Sequence, residues 1–422
     1  MGQALEKPKL FPDTKSFVWF FLVMLVFIGV RLGYEYHAYK TFISKPFYYT
    51  YATVITSYEK TKNTKRYKVL KLRSDDGFTF YTTTHQKKEF KHTRLRLQLF
   101  PNESISFRAY LGTFYVKSKI KNIEVLPPSF KDTLLQSVNK QHKNESIASF
   151  YNAIFFATPI DPKLRQKIAL LGVSHLVALS GFHLGILWVL VYGLMLLIYR
   201  PFQQKFFPYR HALFDVGLVA IFVLGVYVWF VEFPPSLVRS YAMVVVGWTM
   251  ILLAIELLSF TFLVAVFLLL IGLFPFLLVS LSFWFSVAGV FYIFLLLHYL
   301  KNWNKWLITL FVIPIGIFIL MLPIVHSVFV VTSPYQLLSP ILSILFILFY
   351  PLAMAVHVLG IGGLFDTYVL ELFSLTAQGD ETLLPWWMTL VYIALSGGAI
   401  WHKKLFYMLL GLAIGYGIYV FI

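Results

Sequence analysis

The chain contains the run WLITLFVIPIGIFILMLPIV at residues 306–325, which has no charged side chain in its whole length. The charge-free stretch continues to residue 365, and two others cover residues 168–199 and 257–300. A helix needs about 20 predominantly apolar residues to cross the hydrocarbon core of a bilayer. These runs therefore predict a polytopic α-helical membrane protein.

The hydropathy pattern predicts about ten transmembrane helices, one before and nine after a long polar region. The expected crossings are 16–36, 174–199, 212–231, 236–257, 259–279, 283–300, 306–325, 336–358, 385–401 and 404–421. Few polar residues mark the turns within 259–300 and 306–358. Charged residues make up only 13% of the chain, against about 25% in soluble domains, so the composition agrees with the membrane assignment.

Residues 45–128 have the pattern of a small soluble all-β domain. Their β-branched and aromatic runs often alternate with polar residues, as half-buried strands do. The expected strands are 48–56, 67–72, 78–83, 95–99, 104–110 and 113–120. Turn formers separate several of them, including Asp75-Asp76-Gly77. An OB-like barrel fits this pattern, although periodicity does not distinguish it from another small β-fold.

The sequence is therefore divided into four parts. Residues 1–44 hold a tail and the first transmembrane helix, 45–128 the β-domain, 129–172 a helical linker and 173–422 the membrane core. In the linker, Ile147, Phe150, Tyr151 and Ile154 recur at helical spacing. A helix with such a stripe either lies at the membrane surface or packs on the bundle.

Positive charge is concentrated near the β-domain. The whole chain has a formal charge of +17, and residues 31–145 contain 22 Lys or Arg against 9 Asp or Glu. This excess indicates a polyanion or an anionic lipid surface as the partner, or else a solvated basic face. Lysines at 7, 9 and 15 favour a cytoplasmic N-terminus, which would place the β-domain outside the cytoplasm.

Several chemistries are excluded by missing residues. The chain has no cysteine, so it has neither disulfides nor thiolate metal ligands. No Gly-x-x-x-x-Gly-Lys-Ser/Thr loop occurs, so the sequence does not predict ATP hydrolysis by that route. We expect no cofactor and no metal site.

Residues 172–185 read GVSHLVALSGFHLG and open a hydrophobic stretch. The glycine, the His-Leu pair and the Ala-x-Ser-Gly-x-His order, with their spacing, resemble the signature of the ComEC competence family. Two weaker segments follow in the same order as in that family: the Pro-Pro turn at 234–235, with Arg239 and Met243 after it, and the aromatic segment 283–289.

The resemblance implies a channel that passes single-stranded DNA across the bacterial cytoplasmic (inner) membrane during natural transformation. The implied partners are single-stranded DNA, the lipid bilayer, a periplasmic DNA receptor, and a cytoplasmic motor or single-strand-binding proteins. A homodimer is left open. Many members add a metallo-β-lactamase-like nuclease domain. Its His-x-His-x-Asp-His cluster is absent here, so we expect a form without that domain and no enzyme activity.

Intramembrane polar residues are the candidates for the DNA path, because a charged strand needs polar or cationic groups along a wet route. They are Arg239, His175, His183, Ser180, Gly181 and Glu232. Arg239 could bind phosphates, or pair structurally with Glu232, Asp215 or Glu256. The two histidines are eight residues apart and could share one helix face. A helix break at Gly181 would expose N–H groups suited to phosphate.

Cations of the β-domain are the candidates for DNA binding outside the membrane. They are Lys87, Lys88, Lys91, Arg94, Arg96, Lys117, Lys119 and Lys121. The last three alternate along the chain, which predicts a shared strand face. Aromatic residues such as Phe78, Phe80 and Phe114 are interleaved with them. Cations and base-stacking rings are the ingredients of single-strand binding, although some of these rings will form the domain core.

Two other classes of function remain open. A membrane-embedded hydrolase could use Ser180 with His175, His183 and a carboxylate such as Glu232. An exporter or flippase of another polyanion, such as a lipid-linked glycan, would need the same basic and intramembrane residues. Turnover by the purified protein would distinguish an enzyme from a channel.

Overall fold

The structure, a computed structural model, describes residues 9–62, 65–86, 88–90, 92–253, 259–375 and 379–422. Contacts divide the chain into two units. The first unit contains Asp13–Thr133 and Phe267–Leu281. The second consists mainly of Leu134–Val266 and Ser282–Ile422.

The first unit contains a six-stranded sheet. Its strands are β1 (Tyr48–Lys62), β2 (Lys65–Ser74), β3 (Thr79–Thr84), β4 (Thr93–Phe100), β5 (Thr113–Tyr115) and β6 (Lys117–Val125). The strand order is β5-β3-β2-β1-β4-β6. All pairs are antiparallel except β3 with β5. Because β5 and β6 are separated only by Val116, the two edges of the sheet meet at that residue.

One face of this sheet forms the core of the unit. Along β4, Leu95, Leu97 and Leu99 are buried and alternate with more exposed residues, which is the period-two pattern that the sequence predicts. Phe80 and Phe114 are buried against them. Tyr39 and Phe42, near the end of the first helix, belong to the same core. The small β-domain is thus observed within the first unit.

Two details of the β-domain differ from the expectation. Residues 107–111 form a short helix instead of a strand, because the side chain of Ser106 accepts a hydrogen bond from the backbone N–H of Ala109 and caps the turn. A β-bulge falls at Lys121, since Arg96 is paired with Asn122 and Leu97 with Ile120. Lys121 therefore does not continue the alternation of Lys117 and Lys119.

Helices make up most of the remaining structure. They are α1 (Thr14–Ile43), α2 (Phe107–Leu111), α3 (Phe130–Lys140), α4 (Glu145–Phe156), α5 (Pro162–Leu170), α6 (Ser174–Val177), α7 (Gly181–Phe206), α8 (Ala212–Phe230), α9 (Pro235–Leu252), α10 (Phe260–Leu273), α11 (Leu281–Leu300), α12 (Lys305–Leu307), α13 (Ile313–Val325), α14 (Ser339–Val358), α15 (Asp366–Ser374), α16 (Trp386–Gly398) and α17 (Lys403–Phe421). A short two-stranded ladder joins β7 (Val331–Thr332) to β8 (Asp380–Glu381).

Seven segments in the described part of the chain are long and apolar enough to cross a membrane. They are Thr14–Ile43, Gly181–Phe206, Ala212–Phe230, Leu281–Leu300, Lys305–Val325, Pro334–Val358 and Lys403–Phe421. The described residues do not confirm the expected number of ten, and the last residues of the expected crossing 236–257 lie outside them. The apolar parts of α9 and α10, and the whole of α16, are shorter than the roughly 20 residues of a full crossing. The expected crossing 259–279 is interrupted before Pro275, where a 3-10 turn begins.

Helix α4 lies in the core of the second unit. Ile147, Tyr151 and Ile154 have no exposed surface, and Phe150 and Phe155 are nearly buried. Their partners in the core come from α7, α14 and α15. The apolar stripe of the linker therefore packs on the helices, which is one of the two interpretations that the sequence allowed.

Helices α8 and α9 approach closely at Gly217. A Cβ atom added to Gly217 would lie 2.0 Å from Cζ2 of Trp248, so no larger residue fits without displacing the indole. We predict that Gly217→Val lowers the free energy of unfolding by about 1–3 kcal/mol, the usual cost of overpacking a core. The midpoint of thermal unfolding of the purified protein in detergent measures the effect.

The matched control is Gly193→Val in α7, where an added Cβ would meet no heavy atom within 4 Å. Both substitutions place a β-branched residue in a helix, so they share the same intrinsic change in helix propensity. Equal shifts of the midpoint in the two variants would show that the contact with Trp248 is unimportant.

Candidate functional site

The segment 170–181 in the second unit interrupts the helical structure twice. Helix α5 ends at Leu170, α6 covers only Ser174–Val177, and α7 begins at Gly181. Gly172 has φ of +68° in the first interruption, a conformation that favours glycine. The break before Gly181, which was considered as a hypothesis from the sequence, is thus present.

Side chains from other elements donate hydrogen bonds to carbonyl groups along these interruptions. Gln336 donates from Nε2 to the carbonyl of Ala169 at 3.2 Å, and Ser339 Oγ donates to the carbonyl of Gly172 at 3.0 Å. Ser236 Oγ donates to the carbonyl of Leu179. Backbone that leaves the helical conformation needs such partners wherever it is buried away from water.

Ser180 and His183 form a capping box at the start of α7. The hydroxyl of Ser180 accepts a hydrogen bond from the N–H of Phe182 at 3.3 Å, and the N–H of Ser180 donates to Nδ1 of His183 at 3.3 Å. His183 is fully buried, with its ring against Phe346 and Tyr350. Its Nε2 atom has no partner among the described residues, so this nitrogen is a polar group left available inside the fold.

Gly181 allows α7 and α9 to approach each other. A Cβ atom at this position would lie 2.7 Å from Oγ of Ser240. Ser240 is itself nearly buried and donates to the carbonyl of Ser236. The small residue in the signature therefore places the first turn of α7 against the first turns of α9.

His175 and His183 do not share one helix face, which corrects the expectation from their spacing. His175 lies in α6 and His183 in α7, with the break between them. Nε2 of His175 is 3.1 Å from Oγ of Ser343 in α14. The spacing of eight residues implies a shared face only in a continuous helix, and the helix is not continuous.

Arg239 is the most deeply buried cation of the second unit among the described residues, with 3% of its surface exposed. Its Nη1 atom donates to the carbonyl of Ser282, at the start of α11, over 2.7 Å. Its Nε atom has no partner among the described residues. A guanidinium has five N–H donors, and the Nε–H of Arg239 is left without an acceptor in the described contacts.

None of the carboxylates considered as structural partners is shown to neutralise Arg239. Asp215 instead accepts hydrogen bonds from Arg210 at 2.8 Å and from the hydroxyl of Tyr199 at 2.7 Å. Glu232 is exposed, with φ of +67° in the turn before α9, and no ion pair with Arg239 is found in the described part of the chain. Glu256 lies outside the described residues.

The arrangement gives little support to a hydrolase. His183 is close to Ser180, with 3.4 Å between Nδ1 and Oγ, but this contact belongs to a helix cap in which Oγ of Ser180 already accepts from the N–H of Phe182. No carboxylate is hydrogen-bonded to His183 among the described residues. No group of three or more His, Asp or Glu in the described ranges could hold a metal ion.

The exposed face of β1, β4 and β6 in the first unit combines arginines with tyrosines. Tyr51 is directly opposite Arg96, and Tyr49 is opposite Gln98. The guanidinium of Arg96 lies 6.0 Å and 5.9 Å from the ring centroids of Tyr49 and Tyr51, and that of Arg94 lies 4.9 Å from Tyr51. Both tyrosines are exposed, at 48% and 37%. We call Tyr49, Tyr51, Arg94, Arg96, Lys117 and Lys119 the Arg–Tyr face.

The cations predicted from the sequence divide into three groups. Lys117 and Lys119 pair with Phe100 and Gln98, so they lie with Arg94 and Arg96 on the Arg–Tyr face. Lys88 and Lys121 are exposed elsewhere in the domain. Lys87 and Lys91 lie outside the described residues. Arg94 is hydrogen-bonded to Asp75, which raises the pKa of Arg94 and reduces its availability to another anion.

The sequence-based list of aromatic candidates missed the two tyrosines and favoured core residues. Phe80 and Phe114 are buried, and Phe78 packs against the same core. The alternation at residues 48–52 could have predicted the two tyrosines. Thr50 and Ala52 are buried, so Tyr49 and Tyr51 lie on the opposite face of the strand.

Comparison with known families matches residues 157–418 to the family described as Competence protein. The match contains the signature segment, the start of α9 with Arg239, and α11. No curated protein and no solved structure matches the chain. The resemblance inferred from the motifs is therefore confirmed, and the family indicates a role in DNA uptake for transformation. Since the match covers more than half of the sequence, the chain belongs to the competence protein family and is of the ComEC type.

Proposed function

We propose that this protein forms a channel that passes single-stranded DNA across the bacterial cytoplasmic membrane during natural transformation. The family match and the seven apolar helices support a multi-pass membrane protein with a role in DNA uptake. Competence proteins are generally channels and not enzymes. The capping box of Ser180 and His183 gives no reason to prefer hydrolysis.

The observation that carries the proposal is the incompletely satisfied guanidinium of Arg239. A buried cation in an apolar helix is costly unless it is paired. Its single described acceptor is the neutral carbonyl of Ser282, which does not compensate the charge. A passing phosphate would do so, because it accepts two hydrogen bonds from a guanidinium in the fork geometry. We assign Arg239 to the DNA path on this basis.

Around Arg239, the proposed path includes the signature residues. Gly181 and Ser240 bring the first turns of α7 and α9 together, and the unpaired Nε2 of His183 lies in the same unit. His175, Ser180 and Glu232 complete the set of polar groups near these turns. In this proposal they shape the route and hold it open, while Arg239 is the phosphate contact.

The Arg–Tyr face supports the choice of a single strand as substrate. Exposed aromatic rings stack on unpaired bases, whose faces are hidden in a duplex, and neighbouring cations bind the phosphates. Arg96 has no carboxylate partner among the described residues. The closure of the sheet at Val116 also supports an OB-like barrel, a fold that often binds single strands. The periplasmic receptor, the cytoplasmic motor or binding proteins, and a homodimer remain proposals.

We predict that Arg239→Gln reduces the entry of labelled DNA into the cytoplasm at least tenfold, with the protein at its normal level in the membrane. Glutamine can still donate one hydrogen bond to the carbonyl of Ser282, but it carries no charge. The variant therefore separates the structural contact from anion binding. Uptake is measured as the labelled DNA that stays resistant to added nuclease in spheroplasts, from which the outer membrane and cell wall have been removed.

The control for Arg239 is Arg210→Gln, which removes an exposed guanidinium that already has Asp215 as its partner. We expect uptake close to wild type in that variant. If Arg239→Gln also supports normal uptake, the hydrogen bond to Ser282 is the whole role of Arg239 and the assignment to the path is wrong.

Stacking on the Arg–Tyr face is tested by the double variant Tyr49→Ala with Tyr51→Ala. Each base–aromatic stack contributes roughly 1–3 kcal/mol, so we expect the affinity for a fluorescent oligothymidine to fall by at least tenfold. The full-length protein in nanodiscs is used, with fluorescence anisotropy as the measurement. Tyr58→Ala removes another exposed tyrosine of β1 and should leave the affinity almost unchanged.

Phosphate contacts of the same face are tested by salt dependence. Arg96→Gln and Lys119→Gln should each lower the slope of log affinity against log salt by about 0.7, the value for one phosphate contact of a single strand. Arg94→Gln should have a smaller effect, because Asp75 already pairs with that residue. Equal slopes in all variants and in the wild type would exclude this face as the binding surface.

A further inference from the structure

Three ionisable side chains of the second unit form a chain of hydrogen bonds away from Arg239. Nδ1 of His142 lies 2.9 Å and 3.0 Å from the two carboxylate oxygens of Asp366. Nε2 of His142 lies 2.9 Å from Nε2 of His357. Nδ1 of His357 lies 2.6 Å from the carbonyl oxygen of Ala353. The chain connects the residues after α3 with the end of α14 and the start of α15.

The number of protons in this chain follows from its fixed end. A carbonyl oxygen only accepts, so Nδ1 of His357 must carry a proton. The two facing Nε2 atoms need one proton between them, and so do His142 Nδ1 and Asp366. All three contacts are satisfied only when the group holds one proton more than two neutral histidines and an ionised aspartate would. The extra proton makes one of the two histidines an imidazolium or Asp366 a neutral acid.

The surroundings favour a charged or proton-sharing histidine at this position. The side chain of His142 is fully buried, and the ring of Tyr151 stacks on it with centroids 4.6 Å apart and planes inclined by 10°. An aromatic face attracts a cation. Burial raises the pKa of Tyr151, and the charge of Asp366 raises it further, so the phenol stays neutral and does not supply the missing proton.

Other ionisable groups near His142 and on α15 do not face this chain of hydrogen bonds. Lys140, Lys143, Glu145, Tyr368 and Glu371 are all exposed. Gln141 contacts the neighbouring backbone instead, with Nε2 donating to the carbonyl of His357 at 3.2 Å and Oε1 accepting from the N–H of Gly362 at 2.7 Å. The amide therefore holds the end of α14 and the following turn in place around the histidines.

We propose that Asp366, His142 and His357 form a proton-binding site that fastens α15 to the end of α14, with the histidine rings buried and the carboxylate partly exposed. With the proton bound, every contact in the chain is a hydrogen bond. When the proton is lost at higher pH, two lone pairs face each other at one of the contacts, and a buried acceptor is left without a donor. The fastening is thus present at low pH and is released as the pH rises through the titration of the site.

The proton is detected in the full-length protein reconstituted in lipid with isotope-labelled histidine. Magic-angle-spinning NMR identifies a ring with two protonated nitrogens, and infrared spectroscopy identifies a protonated carboxyl group. We expect one of the two signals at neutral pH and its loss at higher pH. If both histidines are singly protonated and the carboxylates are all ionised at neutral pH, the proposal is wrong, and this result requires no substitution.

Variants assign the signal to the site. Asp366→Asn keeps the size of the side chain but removes the carboxylate, so the extra proton should disappear. Glu371→Gln is the matched control, because it removes an exposed carboxylate from the same helix and should leave the signal in place. A signal that persists in Asp366→Asn, or disappears equally in Glu371→Gln, belongs to other groups and contradicts the assignment.

Amide hydrogen exchange tests the release of α15. After correction for the intrinsic pH dependence of exchange, residues 366–374 of the wild type should exchange roughly tenfold faster above the titration than below it, as expected for one lost buried hydrogen bond. Asp366→Asn should show no such step. A metal ion bridging the two Nε2 atoms is the competing explanation. If stoichiometric Zn²⁺ shifts both rings and protects α15, the proton-site proposal is overturned.

Discussion

The hydrocarbon of a bilayer offers no hydrogen bonds, and the candidate site depends on how the chain meets this constraint. Residues 170–181 leave the helical conformation twice, directly before the membrane-spanning segment Gly181–Phe206. Side chains from α9, α14 and the turn before α14 donate hydrogen bonds to carbonyl groups of this segment, and the Ser180–His183 cap satisfies the new helix start. The competence signature is therefore best understood as the set of residues that makes this break stable.

A stable break has a further effect on the neighbouring helices. Once α7 starts at Gly181 and lies against Ser240, the first turns of α9 are fixed, and Arg239 is directed toward the start of α11. The guanidinium is thus positioned by contacts of small and hydroxylated residues, and no acid in the described part of the chain is shown to hold it. A cation that is held by neutral groups can still form an ion pair with a ligand, whereas a cation that is held by a carboxylate is already paired.

Sequence reasoning was most successful where long-range packing was not required. Charge-free runs gave the membrane class, and period-two alternation gave most strands of the β-domain. It failed where a local contact changed the period: the cap by Ser106 turned residues 107–111 into a helix, and the bulge at Lys121 ended the alternation of the lysines. Ten crossings were predicted because apolar composition does not show where a helix ends. Helices α9, α10 and α16 are apolar but shorter than a full crossing. The Asp366–His142–His357 contacts could not be predicted, because His142 is more than two hundred residues from the other two.

The two tyrosines of the Arg–Tyr face also set a length scale. They are two residues apart on one antiparallel strand, so their rings are attached about 7 Å from each other. Stacked nucleotides in a duplex rise about 3.4 Å per residue along each strand. A strand that places successive bases on both rings must be drawn out to about twice its stacked length. The face would then bind a single strand in an extended conformation. A duplex, whose bases are paired and stacked, could not adopt the spacing of the two rings.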